Sequence, residues 1–468
     1  MGQPPQPGMP RGRGGPGQAK FLTGSTMRHV TVMTLTSALG LSFMFLVDFL
    51  ALWWVSRLDN EVFIAAIGFA GTLQFFFVSI SIGMTIAAVA LVSRSLGEGR
   101  PGRARRIATS AICFSVGTQA LVALLAHVFR RELLVLSGAE GEALEVGVQF
   151  LAISLPSLPL IAMGMSGSAV LRARGDAWRS MMVSSSAGFV ALFLDPLLIV
   201  VMGWGVEGAA LAIVLSRSVM AGVGLYWLIV GQDALARPRL EDMRLYFGRY
   251  MAIAAPAMIT QLSTPFGNWV MIRAMAEHGD SAVAGAGVVG RVTVLCFGGI
   301  FALSGAIGGI IGQNAGAGLK ERVISAYWDA IKFCAAYTAV VWLILASSAG
   351  FIARGFGLSE EAQHIVRVFC LYATGSFFFT GALFVANSAF NNLGRPFWAT
   401  MTNWTRDGLL IGPLAFAMGS LWAETGVIMA QALANVLVGI VAAWIGWRLV
   451  RRGTGVERRR PGGGARPA

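Results

Sequence analysis

Residues 93–106 read SRSLGEGRPGRARR, and residues 312–325 read GQNAGAGLKERVIS. Each is a short polar turn between long apolar runs. Gly97 and Gly99 of the first align with Gly316 and Gly318 of the second at an offset of 219. The same shift sets Gly68 over Gly287, Gly71 over Gly290, and Gly175 of LRARGDAW over Gly394 of NNLGRPFW. Agreement of separate sites on one ungapped shift marks an internal duplication.

The rest of the chain follows from what the repeat contains. Of 468 residues, 56% are hydrophobic and 13% charged, with a mean hydropathy of +0.68. A soluble domain carries about a quarter charged residues, so the bilayer is the expected solvent. Breaking the sequence at charged or Gly/Pro-rich clusters leaves twelve apolar candidates. Six fall near 29–56, 62–93, 106–129, 143–170, 178–202 and 206–230. Six more fall near 247–273, 281–313, 323–350, 362–388, 397–420 and 424–448. Most reach the ~20 residues that cross ~30 Å of hydrocarbon as helix. The expected fold is all-α and integral to the membrane, with twelve transmembrane helices in two pseudo-symmetric six-helix lobes. Residues 29–230 form the first lobe and 247–450 the second, joined by a cytoplasmic linker over 231–246. Residues 1–28 and 451–468, rich in Pro, Gly and Arg, are expected to be disordered basic tails.

The net charge of +13 does not indicate nucleic-acid binding, because the cations sit in loops and tails. Both tails and the loops after even-numbered spans carry 26 Lys and Arg, against five in the opposite loops. That asymmetry places both termini in the cytoplasm. Four cysteines (Cys113, Cys296, Cys334, Cys370) lie inside apolar runs with no metal or disulfide spacing. Walker, HExxH and nucleophile-elbow motifs are absent, and the four histidines are scattered, which argues against an enzyme. No cofactor or metal is expected.

Six spans per lobe is even, so the lobes are parallel repeats. Transporters of that design hold substrate between the lobes near the midplane. Ionisable residues within spans are the informative ones, since each costs at least ~2.5–3.5 kcal/mol at a helix centre. Asp48, in SFMFLVDFLALWW, precedes Arg57 by nine residues, and Asp195, in VALFLDPLLIV, precedes Trp204 by nine. At 1.5 Å per residue both lie ~13 Å below the outer surface. Two carboxylates at one depth form a candidate proton or cation site, with pKa values raised by desolvation and mutual repulsion. The alternative is that each pairs with a buried base, for which Arg217 is available. Pro196 lacks an N–H and frees the carbonyl of Leu192, adding a kink and an acceptor beside Asp195.

At the offset of 219, Asp48 becomes Gly267 and Asp195 becomes Leu414. The second lobe instead carries Arg291, Arg367, Arg406 and Asp407 within its spans. Arg406 and Asp407 are sequence neighbours and so are not expected to face each other on a helix. Met163, Phe76 and Trp269 are candidates for the substrate cavity, where flexible thioethers and aromatic faces suit varied ligands.

With these motifs in view, residues 25–450 resemble the multidrug and toxic compound extrusion (MATE) family. The resemblance rests on the VD of span 1, AAIGFAG and RSLGEGRPGRARR around span 2, LRARGD, FLDPLLI, WGVEGAALA, QNAGAG and FNNLGRP, in that order. It implies two lobes forming a V open alternately to either side, and export of small amphipathic or cationic molecules driven by H⁺ or Na⁺. It also implies a first-lobe cation site on the acids of spans 1 and 5, here Asp48 and Asp195. The acids that one branch carries in spans 7 and 10 are missing, as PAMITQLSTPFGNWV shows for span 7. Ala191 and Ile213 stand where the family often has Asn and Thr, and span 1 lacks the usual proline. Sodium needs several oxygen ligands, which favours protons here. A monomer in a prokaryotic inner membrane, contacting only substrate and lipid, is the expectation. A flippase for lipid-linked saccharides is the nearest alternative, and a membrane enzyme the alternative of another class.

Overall fold

The computed structural model describes residues 19–56, 61–356 and 358–453; the side chains at 48, 49, 52, 53, 55, 56 and 61 also lie outside that description. Among the described residues, every long element is helical. Spans 1 to 3 are Thr26–Ser56, Glu61–Gly97 and Pro101–Val128. Spans 4 to 6 are Gly141–Ala173, Ala177–Val201 and Gly205–Gly231. Span 7 is Leu240–Ala276, and span 8 is the pair Asp280–Cys296 and Gly298–Gly316, bent by 45°. Spans 9 and 10 are Lys320–Gly355 and Glu360–Asn392. Pro396–Arg452 runs 57 residues but leaves helical geometry at Trp422 and Ala423, so it supplies spans 11 and 12.

Turn chemistry explains where the helices stop. Gly99, Gly175, Gly318 and Gly394 adopt φ of +71°, +78°, +72° and +80°, the left-handed conformation that ends a helix without a Cβ penalty. These are two repeat pairs, and each pair repeats its φ. Pro101 and Pro396 then open spans 3 and 11, where a missing N–H costs nothing. Asp176 caps span 5 by accepting from the Arg179 N–H at 3.1 Å.

The lobes meet where glycine allows backbones to touch. A Cβ on Gly97 of span 2 would collide with the carbonyl of Gln313 in span 8. Its repeat partner Gly316 would collide with the carbonyl of Arg94, which is the repeat partner of Gln313. The two contacts are images of each other, as an axis along the membrane normal requires. Farther along, Gly83 of span 2 lies against Met258 of span 7. At the other end of spans 2 and 8, no atom lies within 4 Å of a Cβ built on Gly68, Gly71, Gly287 or Gly290. The lobes are therefore in backbone contact at the basic end, while these four glycines at the opposite end meet no neighbour.

Two boundaries differ from the sequence reading. The helix of span 7 starts at Leu240, inside the stretch expected as linker. Residues 19–25, expected to be disordered, fold onto the second lobe. The Phe21 N–H donates to Gln313 Oε1 at 2.9 Å, and its carbonyl accepts from Asn314 and Arg322 at 3.2 and 2.9 Å. Its ring is 2% exposed, beside Gly175 of one lobe and Gly309 of the other. A buried aromatic with satisfied backbone groups outweighs the chain entropy that composition alone suggests. Residues 1–18 and 454–468 of the expected tails lie outside the described residues, while Arg451 and Arg452 end span 12 as helix.

Candidate functional site

Spans 1 and 5 pack in parallel through small residues. A Cβ on Gly40 would meet Met181 Cγ at 2.9 Å and Ser185 Oγ at 3.3 Å. One on Gly188 would meet the Phe43 ring at 3.0 Å and Val47 at 3.4 Å. The Phe43 and Phe189 rings lie 4.6 Å apart. Continuing this register by one residue sets position 48 level with about residues 189–191 of span 5, roughly one turn before Asp195. Asp48 is helical, but its side chain lies outside the described residues. Asp195 is 5% exposed and ends the α-helix.

Pro196 opens a π-helical turn, Pro196–Val201, in which Met202 N–H reaches back to Leu197 O at 2.8 Å. Proline's missing donor is the local cause of this change of ladder. Leu192 lies one turn earlier and is half-buried. Gly208 of span 6 lets that helix approach the Leu198 carbonyl, to 2.6 Å for a built Cβ.

Arg217 is buried in the first lobe. It donates to Ser157 Oγ at 2.8 Å, to Ser154 O at 3.4 Å and to Gln74 Oε1, while Gln74 Nε2 donates to Ser154 Oγ at 3.0 Å. This network ties spans 2, 4 and 6 together where span 4 tightens into a 3₁₀ turn over Leu155–Ser157. Gln74 gave no sequence signal, since a lone Gln in an apolar run has no motif.

The second lobe corrects one expectation. Arg406 and Asp407 do face each other: Nε to Oδ1 is 2.6 Å and Nη2 to Oδ2 is 2.9 Å. They are 6% and 3% exposed. Thr405–Leu410 is a π-helical turn, which alters side-chain directions, and the long guanidinium arm folds back onto its neighbour. Ser263 of span 7 adds a hydrogen bond to Asp407 Oδ2 at 2.9 Å. Gly267 leaves room for it: a Cβ there would lie 3.0 Å from Asp407 Cβ. Arg291 and Arg367 are exposed, the latter reaching Gln363 Oε1 at 3.4 Å.

The cavity candidates do not converge on one place. Met163 packs against the apolar cluster inside the first lobe. Phe76 is half-buried on span 2. Trp269 is exposed, with its ring 6.0 Å from that of Phe266, which lies 5.5 Å from the ring of Trp404. Among the described residues no group of three or more His, Cys, Asp or Glu is placed to hold a metal.

Comparison with known proteins gives the same architecture. The MatE family profile matches residues 36–197 and 256–416, one match per lobe. The chain is 28% identical to a protein named FAD transporter from Shewanella oneidensis, over 85% of this chain and 89% of that one. It is 24% identical to the multidrug export protein MepA of Staphylococcus aureus, over 85% and 88%. The crystal structure of the Vibrio cholerae MATE transporter VcmN in the bent form superposes with a TM-score of 0.84 at 21% identity, covering 91% of this chain and 97% of that one. A multidrug resistance MATE transporter solved in an outward-facing conformation gives 0.85 at 22%, covering 93% and 98%. At those identities the likeness of structures establishes the fold.

Proposed function

This chain belongs to the MatE family of membrane transporters, and from that premise we propose that it is a secondary antiporter. It exports small amphipathic or cationic molecules in exchange for protons, with Asp48 and Asp195 carrying the coupling. The observation that carries this reading is Asp195: a buried carboxylate at the break of span 5, beside the span that bears Asp48. Relatives named for multidrug export and for FAD transport support a small-molecule cargo.

In this exchange the cleft between the lobes opens alternately at the basic end and at the end opposite it. With that end facing outside, a proton loads onto the carboxylates. Neutralised acids lose their hold on a cationic substrate, which leaves. Closure then carries the proton to the cytoplasmic side, where discharge restores the charge. Coupling requires proton and substrate to favour different states, since equal affinity for both states shifts nothing. The protein works as a monomer in a bacterial inner membrane, with both termini cytoplasmic.

Adding a cationic dye to purified protein in weak buffer tests the exchange directly. Proton release is expected from the native protein and its loss from Asp195→Asn. Release that persists unchanged in the variant contradicts the assignment.

A second reading of the cargo has its own support. Arg172 of span 4 donates to Ser168 and Ser180 at 2.8 and 3.3 Å, and its Nε lies near Gly305 of the opposite lobe. Among the described ion pairs none gives it an acid. A cation with hydroxyl neighbours between the lobes suits an anionic cargo. Competition of dye export by a flavin dinucleotide, lost in Arg172→Gln, distinguishes the two.

A further inference from the structure

Spans 9, 10 and 12 leave an apolar groove on the flank of the second lobe, a cavity of about 430 Å³. Its walls are Trp328, Phe378, Phe379, Ile440, Trp444 and Trp447. The depth comes from Gly439, which lets span 12 approach Phe379 so closely that a built Cβ lies 2.5 Å from its carbonyl. Tyr327 closes the floor by donating to Ala443 O at 2.7 Å. Trp328, Trp444 and Ile440 are exposed, so the groove opens to the perimeter of the bundle.

The mouth of this groove is cationic. The Arg448 guanidinium lies 3.6 Å over the Trp444 ring, and that of Arg451 lies 4.9 Å from the Trp447 ring. Stacking of this kind holds a guanidinium in place while leaving its N–H donors available. Lys320 lies beside Gly453 at the end of the same helix. Among the described residues, the ion pairs give Lys320, Arg448, Arg451 and Arg452 no acid.

The dimensions match one leaflet. Along span 12 the groove runs from Trp447, about 8 Å from the helix end at Arg452, to Gly439, about 20 Å from it, at 1.5 Å per residue. A leaflet's hydrocarbon is about 15 Å deep, half of the ~30 Å core. We infer that this groove is a binding site for an anionic membrane phospholipid, with an acyl chain between spans 9, 10 and 12 and its phosphate on Arg448 and Arg451. Basic pockets between spans recognise anionic head groups in this way. The aromatic walls make it a groove for one chain rather than a general surface attraction.

Native mass spectrometry of the full chain, exchanged into detergent with phosphatidylglycerol or phosphatidylcholine, tests the inference. Retained phosphatidylglycerol is expected to exceed phosphatidylcholine by about tenfold, the ratio set by ~1.4 kcal/mol. The double variant Arg448→Gln with Arg451→Gln should abolish that preference. Ala443→Phe, which fills the floor and keeps both arginines, should lower retention of both lipids. Equal retention of the two lipids by the native protein overturns the inference. So does a preference that survives the double variant, or retention that Ala443→Phe leaves unchanged.

Discussion

Gly267 and Asp407 touch across spans 7 and 11, and the repeat offset of 219 maps them onto Asp48 and Gly188 of spans 1 and 5. The acid and the glycine have exchanged helices between the lobes. In the second lobe the carboxylate stands on the later helix, held by Arg406 and Ser263. In the first lobe the acid belongs to the earlier helix, and the glycine of the later helix receives Phe43 and Val47. The second-lobe acid is thus satisfied by its own neighbour, which assigns it to holding spans 7 and 11 together.

Asp407→Ala is expected to destabilise the protein by about 3–5 kcal/mol, because Arg406 stays buried without its countercharge. The double variant Arg406→Met with Asp407→Leu should recover most of that loss, as apolar replacements of buried pairs often do. Thermal unfolding in detergent measures both. A double variant as unstable as Asp407→Ala contradicts a purely structural pair.

Gly97→Ala and Gly316→Ala should act alike, since each drives a methyl group into a carbonyl of the opposite lobe. Both are expected to separate the lobes at the basic end. Spin labels at Arg100 and Lys320 report this as growth of a longer-distance population. An effect of one substitution without the other contradicts the symmetric seal.

Phe21→Ala should produce the same opening from the other direction, by emptying the seat between Gly175 and Gly309. The segment then keeps only its polar ties: the residue 21 backbone to Gln313, Asn314 and Arg322, and Thr26, which donates to Asp329 and bonds Ser325 at 2.8 Å. An unchanged distance distribution in this variant contradicts a sealing role for residues 19–25.

Ala423 sits at φ +49° between spans 11 and 12. Glycine adopts that region without the Cβ penalty, so Ala423→Gly is expected to stabilise by about 1 kcal/mol. A lower unfolding temperature contradicts this.

What the sequence made legible was whatever repeats or costs energy in lipid. Apolar length located the spans, and glycine spacing predicted the duplication that Gly97 and Gly316 realise in space. Buried acids stood out because charge is rare in hydrocarbon, and Asp195 lies buried at its helix break. Contacts that depend on helix rotation were not legible. Nothing local says that Asp407 rests on Gly267, or that Gln74 meets Arg217, because each contact joins separate spans. The Arg406–Asp407 pair escapes an α-helical reading because it sits in a π-turn that no residue pattern announces. Phe21 carries no signal of its own, because one aromatic in a Pro/Gly-rich stretch does not reveal the pocket that receives it.

The central claim is that a carboxylate of the first lobe couples an ion gradient to export. Dye efflux from proteoliposomes tests it most directly, with a pH gradient and a sodium gradient imposed separately on the native protein, Asp48→Asn and Asp195→Asn. The account predicts efflux under the pH gradient by the native protein, and its loss in both variants while they remain folded. Asp48→Asn exporting dye at the native rate under that gradient would contradict it.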